Sequence, residues 1–428
     1  MLVIRRVVIA IALLLSARDA RGLTVLTAGK QALVTPARTI FRFSHDAALA
    51  SVEAPTCPAT SSVQIASSNA FPAPVALPCE KWKRRGGAYR YRDRTGAAGG
   101  VRDIVLGKGR LRIAVRGTTV TGPVGYVEVW LNVGDARYMG RFHNFRRNDG
   151  RAIVTRRPSR AAADGEAAFF ATLLGDADRV DTAQASLERA IAHDPKDGRS
   201  HFLLGMLHLL RAGRELSDYA HASEVARDES ALASRALDAA VPLLLDDTRV
   251  PGFRAAATYV DGVVHGDPIR RDLGLAQLRD AFALNPLFNL FDFVGVVPPT
   301  VPRTDPLYAE AMAYLSQSLA TIGEACAGRD EVCGNVGLAP HNQGGTFLLF
   351  GDLFAKAGVL AGTGLDNARS FYRLAATLEG PAWRFRGLAQ ARLATAADRV
   401  AAYQDADPAN DPGIVGSGAE ACATCHYR

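Results

Sequence analysis

Several residue types are scarce in this 428-residue chain, and each scarcity excludes something. After the first 22 residues no run approaches the roughly 20 apolar residues that a membrane-spanning helix needs, so the remainder is expected to be soluble. Glycine (40) and proline (21) are neither abundant nor periodic, which excludes collagen-like and low-complexity classes. No Ser-His-Asp arrangement, phosphate-binding glycine loop or H-E-x-x-H helix stands out, so hydrolases receive no support. No nucleic-acid-binding motif is visible, and no nucleic acid partner is expected. Cysteine occurs only six times, few enough for each to be followed individually.

What is present begins with an export signal over residues 1–22. Arg5 and Arg6 supply a positive start, and Val7 to Leu15 form an apolar stretch too short to span a bilayer. Ala20-Arg21-Gly22 then offers small residues for cleavage. The mature chain is therefore expected in the periplasm or outside the cell, where disulfides are permitted.

Charge is divided unevenly. Between Lys81 and Arg160 there are 20 Lys or Arg against five Asp or Glu, so this segment carries the positive excess and the remainder of the chain is acidic. Arginine outnumbers lysine throughout, and these charges alternate along strands instead of clustering with aromatics. They read as a solvated arginine face; an anionic partner surface for the basic module is the alternative.

From Leu23 to Arg160 the pattern has period two. Val127, Val129, Leu131 and Val133 share one face of a run that stops at Gly134-Asp135. Leu111 to Gly117 repeats the pattern with arginines opposite, and Ile40-Phe41-Arg42-Phe43 is a further piece. Short alternating strands between turns predict an N-terminal antiparallel β-sandwich or barrel with a solvated face. From Ala161 the composition shifts to Ala, Leu, Arg, Asp and Glu at helical spacing, so the fold class is α+β, mainly α.

The helical part repeats itself. Ala183, Leu187, Ala190 and Pro195 share their offsets with Gly274, Leu278, Ala281 and Pro286; Ala368, Tyr372 and Ala375 begin the series again, with Pro381 one residue late. These positions resemble the second helix of a tetratricopeptide repeat. His201, Leu204, Gly205 and His208 fall on first-helix positions, as do Gly351 and Phe354. The irregular intervals make this a degenerate, interrupted array. Val297 to Pro302 contains three prolines and reads as a loop or hinge between helical halves at 161–296 and 297–400. Asp405 to Gly413 breaks the last helix and opens a C-terminal tail, 401–428; its carboxylates lack the spacing of a calcium loop.

That tail carries the chemistry. Cys422-Ala423-Thr424-Cys425-His426 is a C-x-x-C-H, which resembles the haem-attachment motif of c-type cytochromes. The resemblance implies one covalent haem c, with thioethers at Cys422 and Cys425 and His426 as proximal iron ligand. A redox pair would need a strand and a helix start around it, and structural zinc a fourth ligand nearby. Only Tyr427 and Arg428 follow the motif, so no downstream methionine of the small cytochrome c kind is available. The second axial ligand is expected from upstream, from a partner chain, or not at all. Met139, Met206 and Met312 and eight other histidines are the candidates. His201, Met206 and His208 read as core, and His193 as a solvated helix end. His341, in Ala339-Pro340-His341-Asn342-Gln343-Gly344-Gly345, differs: a proline before it and glycines after it suit a rigid, closely approached loop ligand. The remaining cysteines pair by separation as Cys57–Cys79 and Cys326–Cys333, although four cysteines allow three connectivities.

Three functions fit these residues. The first is an exported c-type haem protein serving electron transfer or docking to a redox partner. The second is a repeat scaffold for protein partners with a structural or sensory haem. The third is a peroxidase-like haem enzyme, which would need an open distal site. Electron transfer or binding is favoured over catalysis.

Overall fold

The computed structural model describes residues 23–415 except 56, 58–59, 69–71, 118–119, 135, 174–175, 217–218, 220, 327–342, 359–363, 379–382 and 406–409. Among the described residues, thirteen strands precede twelve α-helices, so the chain is α+β, mainly α, with the β part first.

The strands are β1 (Leu23–Val25), β2 (Gln31–Thr35), β3 (Arg38–Ser44), β4 (Ser61–Ser67), β5 (Val75–Leu77), β6 (Trp82–Arg85) and β7 (Ala88–Arg92). They continue as β8 (Val101–Gly107), β9 (Arg110–Arg116), β10 (Val127–Val133), β11 (Ala136–Phe142), β12 (Phe145–Asn148) and β13 (Ile153–Thr155). They form a five-stranded sheet, β1-β11-β10-β4-β5, and an eight-stranded sheet, β12-β13-β2-β3-β9-β8-β7-β6. Pairing is antiparallel throughout except for β1, which runs parallel to β11. The β8–β9 hairpin turns through Lys108 and Gly109, both at positive φ (55° and 71°), as a tight primed turn requires.

The two sheets face each other across one core. Phe41, Phe43, Ile104, Leu111 and Ile113 come from the eight-stranded sheet, and Val129, Leu131, Val133 and Phe142 from the five-stranded one. The period-two expectation for β10 holds: its valines and Leu131 enter this core. Its opposite face is not solvated, however. Trp130 and Met139, paired in register across β10 and β11, pack against Phe169, Phe170 and Leu203 of the helical body. The five-stranded sheet is thus covered on both sides, and only the eight-stranded sheet keeps an outer face.

The helices are α1 (Arg160–Leu173), α2 (Val180–His193), α3 (Gly198–Glu215), α4 (Glu224–Ala240), α5 (Val250–Val264) and α6 (Pro268–Leu284). The second group is α7 (Pro286–Val296), α8 (Pro306–Cys326), α9 (Gln343–Ala357), α10 (Gly364–Leu378), α11 (Arg386–Ala394) and α12 (Ala396–Ala402). Sequence neighbours pack on each other: α1 on α2, α3 on α4, α5 on α6 and α9 on α10. Small residues permit the closest approaches. A Cβ on Gly274 would lie 2.4 Å from the Tyr259 backbone nitrogen, and one on Gly351 2.4 Å from the Tyr372 ring. Ala183, Leu187, Ala190, Leu278, Ala281, Ala368, Tyr372 and Ala375 are all buried.

The proline-rich stretch forms a short 3-10 turn at Pro298–Thr300. Val297 and Pro298 are buried, and the buried Lys356 ammonium donates to the carbonyls of Pro298 (2.9 Å) and Val301 (2.8 Å). Helices before and after this turn share one hydrophobic core, from Tyr259 and Phe293 to Phe354 and Phe371.

Candidate functional site

Cys57 and Cys79 are joined in a disulfide within the β part. Cys326 closes α8, and its side chain is outside the described residues, as are Cys333, His341, Cys422, Cys425 and His426. The described part of the tail nevertheless shows how the segment leading to the C-x-x-C-H is held.

Its base is Asp352, in the middle of α9 and fully buried. The helical pattern places this acid on the face that packs on α10 and α12. Four donors converge on it. Tyr372 of α10 gives its hydroxyl at 2.8 Å, Arg399 of α12 a guanidinium at 3.2 Å, and Arg392 of α11 a second guanidinium. The fourth donor is the backbone N–H of Val415, 2.8 Å from Oδ2. Arg399 also donates to the Gly413 carbonyl at 2.9 Å, and the Tyr403 hydroxyl to that of Pro412. Ile414 and Val415 enter the core. Burial, then the Asp352 charge, pushes the Tyr372 and Tyr403 hydroxyls above the usual phenol range. Such phenols stay protonated and remain donors. A buried ion pair with every partner in place specifies position, and losing one partner costs about 3–5 kcal/mol. The tail is therefore pinned at Val415. Seven residues of chain lead on to Cys422, a reach of at most about 25 Å.

A second polar cluster, between the five-stranded sheet and α1 and α3, escaped sequence reasoning. Lys30 and Arg199 both bond the buried Glu166, Arg141 bonds Glu128, and Arg249 grips Asp247 through two hydrogen bonds of 2.8 and 2.7 Å. The Arg249 guanidinium also lies over the Tyr126 ring, 3.8 Å from its centroid. Asp197 caps α3 through Ser200 and accepts from Asn144 of the β part, each at 3.2 Å. Burial alone would raise the Glu166 carboxyl, but Lys30 and Arg199 outweigh it and hold the group below its usual range. Burial lowers the Lys30 ammonium, with Glu166 opposing. No local motif marks these residues, because Lys30, Glu166 and Arg199 are remote in sequence and meet only on folding.

In this cluster His143 is buried, and neither ring nitrogen has a hydrogen-bond partner among the described residues, although Nδ1 lies 3.9 Å from Asp247 Oδ2. It borders a cavity of about 20 Å3, room for one water. Burial foremost, then Arg199, Arg249, Arg141 and Lys30, pushes its pKa far below the usual range, so its imidazole is neutral. Other histidines have partners: His208 meets Glu229 at 2.5 Å, His265 the Asp261 carbonyl at 2.9 Å, and His201 the Pro195 carbonyl at 3.1 Å. His193 ends α2 and is exposed. Met139 is completely buried beneath the helices. No group of three or more His, Cys, Asp or Glu arranged for a metal ion occurs among the described residues, and none of the described helices is long and apolar enough to cross a membrane. Comparison with protein-family models, curated proteins and solved structures finds no match.

Proposed function

We propose that this chain is an exported c-type haem protein that serves electron transfer or docks onto a redox partner. The observation that carries the reading is the C-x-x-C-H at Cys422 to His426. Its donor set suits haem c: two thiols for covalent attachment and an adjoining imidazole for iron. The bound group would supply a one-electron couple whose potential follows axial ligation and burial. The chain's own contribution is to hold the attachment segment near one place. Asp352, Arg399 and Tyr403 pin residues 412–415, so a haem at Cys422 stays within about 25 Å of the α9–α12 contact.

His341 is the proposed second ligand. In sequence it stands two residues before the start of α9, and the ten residues from Gln343 to Asp352 span about 14 Å of helix, so the chain ties it closely to the helix that anchors the tail. A Cys326–Cys333 disulfide would restrain the same loop. The tetratricopeptide-like reading of the helical body is supported by the buried small residues at helix contacts. It would offer a surface to protein partners.

The test is a haem stain after denaturing electrophoresis of the mature protein, made where covalent attachment machinery is present. The signal is expected in the wild type and absent from C422S/C425S; haem retained by the double variant would refute the reading. His341→Ala should turn a low-spin spectrum high-spin and open the iron to carbon monoxide. An unchanged low-spin spectrum would remove His341 from the iron.

A further inference from the structure

The outer face of the eight-stranded sheet holds an open cleft of about 670 Å3, within the range that accommodates a ligand. Its floor is small and apolar, Ala114 among it, and its walls are arginine. The alternation of β7, β8 and β9 sends one set of side chains into the sandwich core and the other set outward. A β-bulge between Val101 and Asp103 interrupts that alternation and places Arg102 and Asp103 on the cleft together.

The charges in the cleft do not cancel. Asp103 is engaged by Arg90 and Arg112, and Asp93 by Lys81 and Thr95. Arg38, Arg92, Arg94, Arg102 and Arg116 line the same cleft, are exposed, and pair with no carboxylate among the described residues. Seven arginines thus line one cleft with two aspartates, and five of the seven have no carboxylate partner among the described residues. Across strands the cations recur in register: Arg42 pairs with Arg112, Arg38 with Arg116, and Lys83 with Arg90. Neighbouring strands are about 4.8 Å apart, so an extended chain lying across them meets positive charge at a regular short interval.

We propose that this cleft docks an extended anionic polysaccharide, with the arginine forks receiving its carboxylate or sulfate groups. Three alternatives fit the face less well. A membrane surface calls for apolar side chains to insert, but among the described residues the exposed large apolar side chains, from Val225 to Leu284, all lie on the helical body. An acidic protein calls for a buried aromatic or aliphatic anchor, and no aromatic lines the cleft. Single-stranded nucleic acid calls for stacking rings, which are likewise missing from the cleft lining. A glycan decorated with acids asks only for positive charge at intervals and a shallow open floor.

The test uses the purified protein with a fluorescein-labelled sulfated hexasaccharide and a polygalacturonate oligomer, read by anisotropy at low salt. Both should bind, more weakly as salt rises. R92E/R94E/R102E should lose about tenfold or more in affinity. R146E/R151E/R157E makes the same net-charge change outside the cleft, and should stay within about twofold. Matching thermal melts establish that the variants are folded; if the triple variant melts early, R38Q/R116Q at the opposite wall carries the same expectation. Equal losses in cleft and control variants would reduce the effect to net charge and overturn the proposal. So would absence of glycan binding. Tighter, cleft-dependent binding of phosphatidylglycerol vesicles or polyglutamate would reassign the cleft to a membrane or an acidic protein.

Discussion

Two acids in the helical body, Asp352 of α9 and Asp292 of α7, are buried to nearly the same degree and stand in opposite surroundings. Asp352 receives two guanidinium groups, a phenol and a backbone N–H. Asp292 receives no cation among the described residues. Its Oδ2 lacks a donor, as does the Oδ1 of Asn289, and a Cβ on Gly252 would lie 2.2 Å from the first and 2.7 Å from the second. Burial alone pushes the Asp292 carboxyl far above its usual range. Protonated, it can donate to Asn289, which satisfies both orphaned oxygens in one bond. Burial therefore does not decide whether an acid is an anchor or a neutral core group. The donors that folding brings to it do, and Glu166, held between Lys30 and Arg199, belongs with Asp352.

The sharpest way to break this contrast is Asp352→Ala. It leaves Arg392 and Arg399 buried without their acid and should cost about 3–5 kcal/mol. Denaturant midpoints measure the loss, and proteolysis should reach residues 412–415 at native conditions. A loss below about 1 kcal/mol would show that the tail is held by Ile414 and Val415 packing instead. Glu166→Gln keeps the shape but removes the charge between Lys30 and Arg199, with an expected cost of about 2–4 kcal/mol. Its wild-type contribution has the sign of a depressed carboxyl: present above the ordinary glutamate pKa and lost as pH falls through the lower folded value. The variant should flatten that acid limb of the stability profile.

Asp292→Asn gives the smallest effect and the opposite sign. The raised carboxyl contributes fully below the ordinary aspartate pKa, and its contribution is lost as pH rises toward the folded value. An amide donates to Asn289 at every pH, so the variant should gain about 1–2 kcal/mol at pH 8 and little at pH 4. Equal stability changes at both pH values would mean that Asp292 is not protonated in the fold.

Much of the frame was legible in the residue pattern. The period-two face of Val127 to Val133 enters the sandwich core, and the helical composition after Ala161 matches α1 from Arg160. The proline break at Val297 to Pro302 was legible as a break, but its burial against Lys356 was not, because prolines report backbone limits and not what packs on them. The unneutralised arginine cleft was legible only as a surplus of charge. Which arginines keep a partner depends on the register that sets Asp103 between Arg90 and Arg112.

Local chemistry is what the sequence determined by itself. A C-x-x-C-H has the same donors wherever it lies, and residue periodicity names the face of a strand or helix that must leave water. The tertiary structure decided what covers that face and which charges meet. It laid α1 and α3 over Trp130, brought Lys30 to Glu166, and tied Val415 to Asp352. Such contacts join residues far apart in the chain. Their energy depends on desolvation and on partners that no local window of sequence contains.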